Sequence, residues 1–170
     1  METQKISTGK FAMNYGLALG LIMTAIGVIM YVTGMALEGV QWPQYLYYLI
    51  FPIVIYMAIS KYKASNGATL SLGDAIKVGL TISIISALIY GAYTLLFNYV
   101  IDPEFLGQAM DAAREKVMEN NEMTQEQLDQ TMEWMEKFSN PALGVAFWVA
   151  LSGFFGLIYS LIFGLIMKSE

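Results

Sequence analysis

The chain has 170 residues, of which 56% are hydrophobic and only 14% are charged, and its formal net charge is −5. Soluble domains carry about 25% charged residues, so this composition is typical of a membrane protein. The sequence contains no Cys and no His, which excludes disulfides, thiolate nucleophiles and sites that need imidazole as a metal ligand or general base. It also lacks the basic patch that is typical of nucleic-acid binding.

Four apolar runs approach or exceed the length that a transmembrane helix needs, roughly 18 to 20 residues. They predict spans at about 11–37, 44–60, 75–100 and 141–167. The first run is too long for the apolar core of a signal peptide, so we expect it to be retained. The predicted fold is an all-α membrane protein with four transmembrane helices, in which residues 1–170 form a single membrane domain.

Small residues recur on one face of several predicted spans. In the first span the glycines are four or seven residues apart, which places them within a stripe roughly 40° wide. Such a stripe lets another helix backbone approach closely, and a substrate groove is the alternative interpretation. We expect spans one and four to present matching small faces, to each other or across a dimer. The predicted helix-packing residues are Gly16, Gly20, Gly27, Gly34, Gly79, Ser83, Ser86, Ala146, Gly153, Ser160 and Gly164.

The second span is short and contains Pro52, which removes one backbone donor and predicts a kink. Short kinked helices occur at the substrate sites of transporters, although neighbouring helices commonly accommodate such a proline. No ionisable residue lies near the centre of any span, which argues against a coupled transporter. An interfacial aromatic belt is predicted around the start of this span, at Trp42, Tyr45, Tyr47 and Tyr48.

Residues 102–140 form the only long polar segment, with ten acids against three bases. Asp102 and Pro103 are a good N-cap and first residue for one helix. Thr124 and Gln127 have the spacing of a capping box for a second helix. Two amphipathic stripes joined by a short turn predict an acidic two-helix hairpin between spans three and four. Its apolar stripes supply the partner-surface candidates, which are Leu106, Met110, Val117, Leu128, Met132, Met135 and Phe138.

Polar residues also mark the starts of the last two spans. Asp74 is expected to cap the third span or to favour its N-terminus through the helix dipole. Asn140 is the expected cap of the fourth span, directly before Pro141.

The acids of the insert do not form a recognisable metal site. Four glutamates straddle the predicted turn, and their spacing does not match the alternating oxygen ligands of an EF-hand loop. An acidic helical hairpin is more commonly a solvated surface. We therefore expect no metal and no cofactor. The glutamates are Glu115, Glu119, Glu122 and Glu126.

The distribution of lysines predicts the orientation in the membrane. Six of the nine bases lie in the N-terminal ten residues, in 61–77, and at Lys168. Cytoplasmic segments of membrane proteins are enriched in Lys and Arg. Both termini and the 61–73 loop are therefore expected in the cytoplasm, and the 102–140 hairpin is expected to be extracytoplasmic.

Two short motifs resemble those of a known family. Leu70-Ser71-Leu72-Gly73-Asp74-Ala75 leads into Gly79 at the start of the third span, and Ile101-Asp102-Pro103 follows that span. With the four-span pattern, they resemble the domain of unknown function 4199 family, across nearly the whole chain. The resemblance implies a small four-span protein of a bacterial inner membrane with a charged helical insert before the fourth span. It implies no catalytic residues.

The sequence favours a non-enzymatic, multi-pass integral membrane protein. The leading interpretation is a structural or accessory subunit that binds other membrane proteins or itself, because small-residue faces and an amphipathic hairpin are both suited to contacts. A small-solute or lipid carrier is the first alternative, suggested by Pro52 and the tyrosines of the spans. The resemblance adds a second alternative, an accessory role in envelope glycan-lipid synthesis.

Overall fold

A computed structural model describes residues 7–119, 124–137 and 139–169 of the chain. The described residues form six α-helices and no strand: α1 (Thr8–Val32), α2 (Trp42–Ser65), α3 (Leu72–Leu96), α4 (Phe105–Glu119), α5 (Gln125–Lys137) and α6 (Pro141–Met167). A π-helical turn, Phe97–Ile101, continues α3.

Four of these helices are long and apolar enough to cross a membrane: α1, the Tyr45–Ser65 part of α2, α3 with its π-helical turn, and α6. The prediction of an all-helical protein with four spans is thus confirmed. The first helix ends at Val32 rather than near residue 37, since Gly34 has a φ of +76°, a left-handed conformation that terminates helices. The second helix runs without interruption through Pro52 and is longer than predicted at both ends.

Helix α3 lies at the centre of the bundle and packs along both α1 and α6. Its contact with α6 is made by small residues spaced by four. Residues later in α3 contact residues earlier in α6, so the two helices are antiparallel. The pairs are Ala75 with Gly164, Gly79 with Ser160, Ser83 with Gly156, and Gly91 with Val145.

The contact between α1 and α3 uses a different pairing, glycine against branched side chains. A Cβ added at Gly16 would lie 2.9 Å from the Cβ of Ile85, and one at Gly20 would lie 2.8 Å from the Cβ of Ile89. The expectation that the small faces of spans one and four meet each other is therefore wrong within the chain. Both faces contact α3, because α3 lies between them.

The hydrophobic core fills the half of the bundle that contains the start of α1 and the end of α6. Its buried side chains come from the first half of α1, from α2 between Phe51 and Tyr62, and from the first half of α3, with Ile55 and Ile82 among them. In the same half, Lys63 Nζ donates to the Met167 carbonyl at 2.8 Å, and Ser169 N donates to the Leu70 carbonyl at 3.1 Å. We call this half the closed end and the opposite half the open end.

The N-terminal caps of α5, α6 and α3 can be compared with the caps that the sequence predicts. The capping box is confirmed, because Thr124 N donates to Gln127 Oε1 and Gln127 N donates to Thr124 Oγ1. Asn140 caps α6 through its side-chain oxygen, as predicted. At α3 the N-cap is Ser71, whose Oγ accepts from Asp74 N and donates to the Asp74 carboxylate. Asp74 thus supports the cap from the first turn.

Asp102 does not begin α4, which starts at Phe105. Its carboxylate instead accepts a hydrogen bond of 3.0 Å from the Tyr31 hydroxyl, and its backbone N–H donates to the Phe97 carbonyl in the π-helical turn. The prediction of Asp102 as an N-cap is wrong because a tertiary hydrogen bond has taken the place of the local one.

Candidate functional site

At the open end, the four long helices leave a cavity of about 400 Å³. Helix α2 provides Pro43, Tyr47 and Tyr48, and α6 provides Trp148. Most of the other lining residues come from α1 and α3. Seven of the lining residues are tyrosine or phenylalanine and one is tryptophan. The aromatic cavity is lined by Met23, Ile26, Gly27, Met30, Tyr31, Ala36, Pro43, Tyr47, Tyr48, Tyr90, Tyr93, Thr94, Phe97, Asn98, Phe105 and Trp148.

The polar groups of the aromatic cavity are uncharged, since no Asp, Glu, Lys or Arg in the described part of the chain lines it. Thr94 Oγ1 donates to the Tyr90 carbonyl at 2.9 Å, and Asn98 Nδ2 donates to the Thr94 carbonyl at 2.8 Å. These bonds satisfy helical carbonyls within α3 and fix both side chains. The cavity therefore offers hydrogen bonds without offering a charge.

A second depression, which we call the α2–α6 groove, has a volume of about 440 Å³. It shares Tyr47, Tyr48 and Trp148 with the aromatic cavity, so the two spaces adjoin. The rings of Tyr47 and Trp148 lie 5.2 Å apart at their shared wall. Further along, the groove is lined by Phe51, Leu151, Ser152, Phe155 and Tyr159.

An aromatic cluster joins the spans to α4 beside the cavity. The ring of Tyr31 makes edge contacts with Phe97 at 4.7 Å and with Phe105 at 5.5 Å. Phe97 and Phe105 also contact each other at 5.2 Å. Together with the hydrogen bond from Tyr31 to Asp102, this cluster holds the beginning of α4 against α1 and α3.

The predicted helix-packing residues fall into three groups. Gly16, Gly20 and Gly27 face α3, and Gly79, Ser83, Ser86, Ser160 and Gly164 lie in or beside the α3–α6 contact. Gly153 faces only the end of Ile84, and Ala146 is exposed. Gly34 packs against nothing and ends α1 instead, so the prediction that it packs a helix is wrong.

Sequence reasoning missed the central members of the α3–α6 contact. Ser152 and Gly156 are buried on α6, and Gly91 is buried on α3. The signal was present as small residues at every fourth position of α6, from Ser152 to Gly164. A spacing by sevens through Ala146, Gly153 and Ser160 predicts a different face, which includes the exposed Ala146.

The partner-surface candidates are only partly available to a partner. Leu128 is 4% exposed and is buried within the protein, because the apolar stripe of α5 faces inward there. The half-buried members are Leu106, Met110, Val117 and Met132, while Met135 is exposed. Phe138 lies outside the described residues. Two exposed apolar side chains were not predicted, Met118 and Trp134.

Within residues 7–119, 124–137 and 139–169, no group of three acids is arranged to hold a metal ion. Glu115 and Glu126 are exposed, and the side chain of Glu119 and all of Glu122 lie outside the described part of the chain. The described geometry thus brings together aromatic rings and uncharged donors rather than a cluster of acids.

The fold and this cavity define a multi-pass, all-helical membrane protein. The model of a protein family described as "Protein of unknown function (DUF4199)" matches residues 14–169. The chain belongs to this family. No curated protein and no solved structure matches the chain.

Proposed function

We propose that the chain is a non-enzymatic accessory subunit of the membrane that binds another membrane protein, or a second copy of itself, through the outer surface of α4 and α5. The single observation that carries this proposal is the exposure of Trp134 on α5, whose side chain is 61% exposed. Exposed aromatic and methionine side chains are the residue types enriched at protein interfaces. Met118 and Met135 add apolar area on the same pair of helices.

The packing of the bundle supports this location of the interface. The glycine faces of α1 and α6 are occupied by α3, so they are not free for a partner. Helices α4 and α5 contact each other, and the capping box at Thr124 begins the second of them. We propose that they form an antiparallel hairpin that projects from spans three and four.

The interface is tested by photo-crosslinking in living cells from a benzoylphenylalanine placed at Trp134. A matched control carries the same group at Gln130, which is exposed on the same helix. We expect a discrete adduct from position 134 and none from position 130. An adduct of twice the monomer mass would identify a second copy as the partner. Equal labelling from both positions, or none from either, would refute the proposed surface.

The proposed location is a bacterial inner membrane, with both termini in the cytoplasm and residues 102–140 outside it. The grouping of the lysines supports this orientation. The hydroxyl oxygens of Thr8 and Tyr62 lie 3.4 Å apart, and Lys63 Nζ donates to the carbonyl of Met167 at the end of α6. The lysine-rich segments therefore share the closed end. An excess of lysine marks the cytoplasmic side.

Because the sequence contains no cysteine, single cysteines can report the orientation. We expect Gln130→Cys to react with a membrane-impermeant maleimide in spheroplasts and Ala64→Cys to react only after the membrane is opened. Both positions are exposed. Reaction of Ala64→Cys alone in closed spheroplasts would show that the proposed orientation is inverted.

A small-solute or lipid carrier is the second candidate function, and the aromatic cavity is the observation that favours it. The core of the closed end fills the space that a continuous path would need, so a carrier would have to open there. An accessory role in envelope glycan-lipid synthesis is a specific form of the first proposal, with the partner drawn from that machinery.

A further inference from the structure

We infer that the aromatic cavity and the α2–α6 groove together bind one membrane quinone, with its ring in the cavity and its isoprenoid tail along the groove. This inference goes beyond the accessory role and does not depend on it. Most of the residues that line the two spaces belong to segments that can cross the membrane, so a ligand would reach them from the bilayer. Their volumes of about 400 and 440 Å³ are of the size that small-molecule sites commonly have.

The lining of the cavity restricts the headgroup. Because no basic side chain among the described residues lines either space, a phosphate headgroup would lose its hydration without gaining a counter-charge. An uncharged headgroup has no such cost. The cavity thus favours a neutral lipid over a phospholipid.

The available hydrogen bonds restrict the headgroup further. The cavity wall carries uncharged donor groups, among them the Tyr93 hydroxyl and the Trp148 indole N–H, and both of these side chains are half-buried there. Uncharged O–H and N–H donors are suited to a ligand with acceptor oxygens. The surrounding rings suit a flat ring that stacks or makes edge contacts, and a quinone combines both properties.

The groove is suited to the tail. It follows α6 from Trp148 to Tyr159, which is roughly 16 Å at 1.5 Å per residue. Phe51 and Phe155 provide apolar walls on the two helices. A branched, unsaturated isoprenoid chain can make many van der Waals contacts with these rings.

The test uses the protein with Trp42→Phe and Trp134→Phe, so that Trp148 is the only tryptophan. A ubiquinone analogue with a ten-carbon tail is titrated in nanodiscs, and quenching of Trp148 fluorescence is followed. We expect saturable quenching, which decanol at the same concentration does not displace. A protein that keeps only Trp134 is the control, and it should show only the weak, linear quenching of a quinone dissolved in the bilayer.

Tyr93→Phe keeps the ring and removes one donor, and we expect it to weaken binding about two- to tenfold, the effect of one hydrogen bond. Tyr99→Phe, at an exposed position outside the cavity, should leave binding unchanged. Linear quenching of Trp148 would overturn the inference. Displacement of the analogue by a neutral diacylglycerol at equal concentration would overturn the assignment to a quinone. Neither result would affect crosslinking from position 134.

Discussion

Replacing Gly156 with Ala is expected to destabilise the bundle by about 1–3 kcal/mol, the usual cost of adding an atom to a closely packed site. The new Cβ would overlap the Oγ of Ser83 and would lie 2.6 Å from its Cβ. Because that Cβ is attached directly to the α3 backbone, it cannot rotate away, and the two helices must separate. Thermal unfolding in a mild detergent measures the loss.

Two further variants make this prediction specific. Gly144→Ala is the matched control on the same helix, since a Cβ there would meet no atom within 4 Å, and it should leave the unfolding temperature nearly unchanged. Ser83→Gly should recover much of the loss when combined with Gly156→Ala, because it removes the overlapping atoms. Additive effects of the two substitutions would show that these residues are not in contact.

Replacing Tyr31 with Ala is expected to release α4 from the bundle while the spans remain folded. The substitution removes the edge contacts with Phe97 and Phe105 and the hydrogen bond to Asp102. Tyr31→Phe removes only the hydrogen bond. We expect amide hydrogen exchange in residues 105–119 to accelerate about a hundredfold in the Ala variant and about tenfold in the Phe variant.

Tyr99→Ala is the control for this experiment, because Tyr99 is 56% exposed in the π-helical turn and takes no part in the aromatic cluster. Its exchange should match that of the unmodified protein. If α4 exchanged equally fast in all four proteins, the cluster would not be what holds α4 in place.

The spans and several caps could be predicted because their causes are local. A membrane helix requires a long apolar run, and the runs leading to α1 and α6 contain few competing polar residues. The pair Thr124 and Gln127 satisfies its own backbone groups, so the capping box forms as the sequence indicates. Asp102 is also a residue type that caps helices, but its carboxylate accepts a hydrogen bond from the Tyr31 hydroxyl instead.

The pairing of the helices could not be predicted from small residues alone. A glycine stripe indicates that a neighbour approaches closely, but it does not say which helix the neighbour is. The glycines of α1 meet Ile85 and Ile89 rather than other small residues. Only the position of α3 between α1 and α6 explains why two faces that look alike never meet.

The aromatic cavity was also beyond sequence reasoning, although its tyrosines were noticed. At the closed end, α2 packs closely against the core through Phe51, Ile55 and Ile59. At the open end, space remains around Tyr47 and Trp148, and this space is the cavity. Such a difference in packing along one helix depends on tertiary geometry. The sequence shows the rings and not the gap between them.

A disulfide between Gly91→Cys and Val145→Cys tests most directly whether the small faces of α3 and α6 meet within one chain. A Cβ at Gly91 would lie 3.7 Å from the Cβ of Val145, a separation that suits a disulfide, and the chain has no other cysteine. Oxidation in native membranes should form an intramolecular disulfide, so the protein stays a monomer and its mobility on a non-reducing gel changes. A disulfide-linked dimer, or no disulfide at all, would contradict the central position of α3.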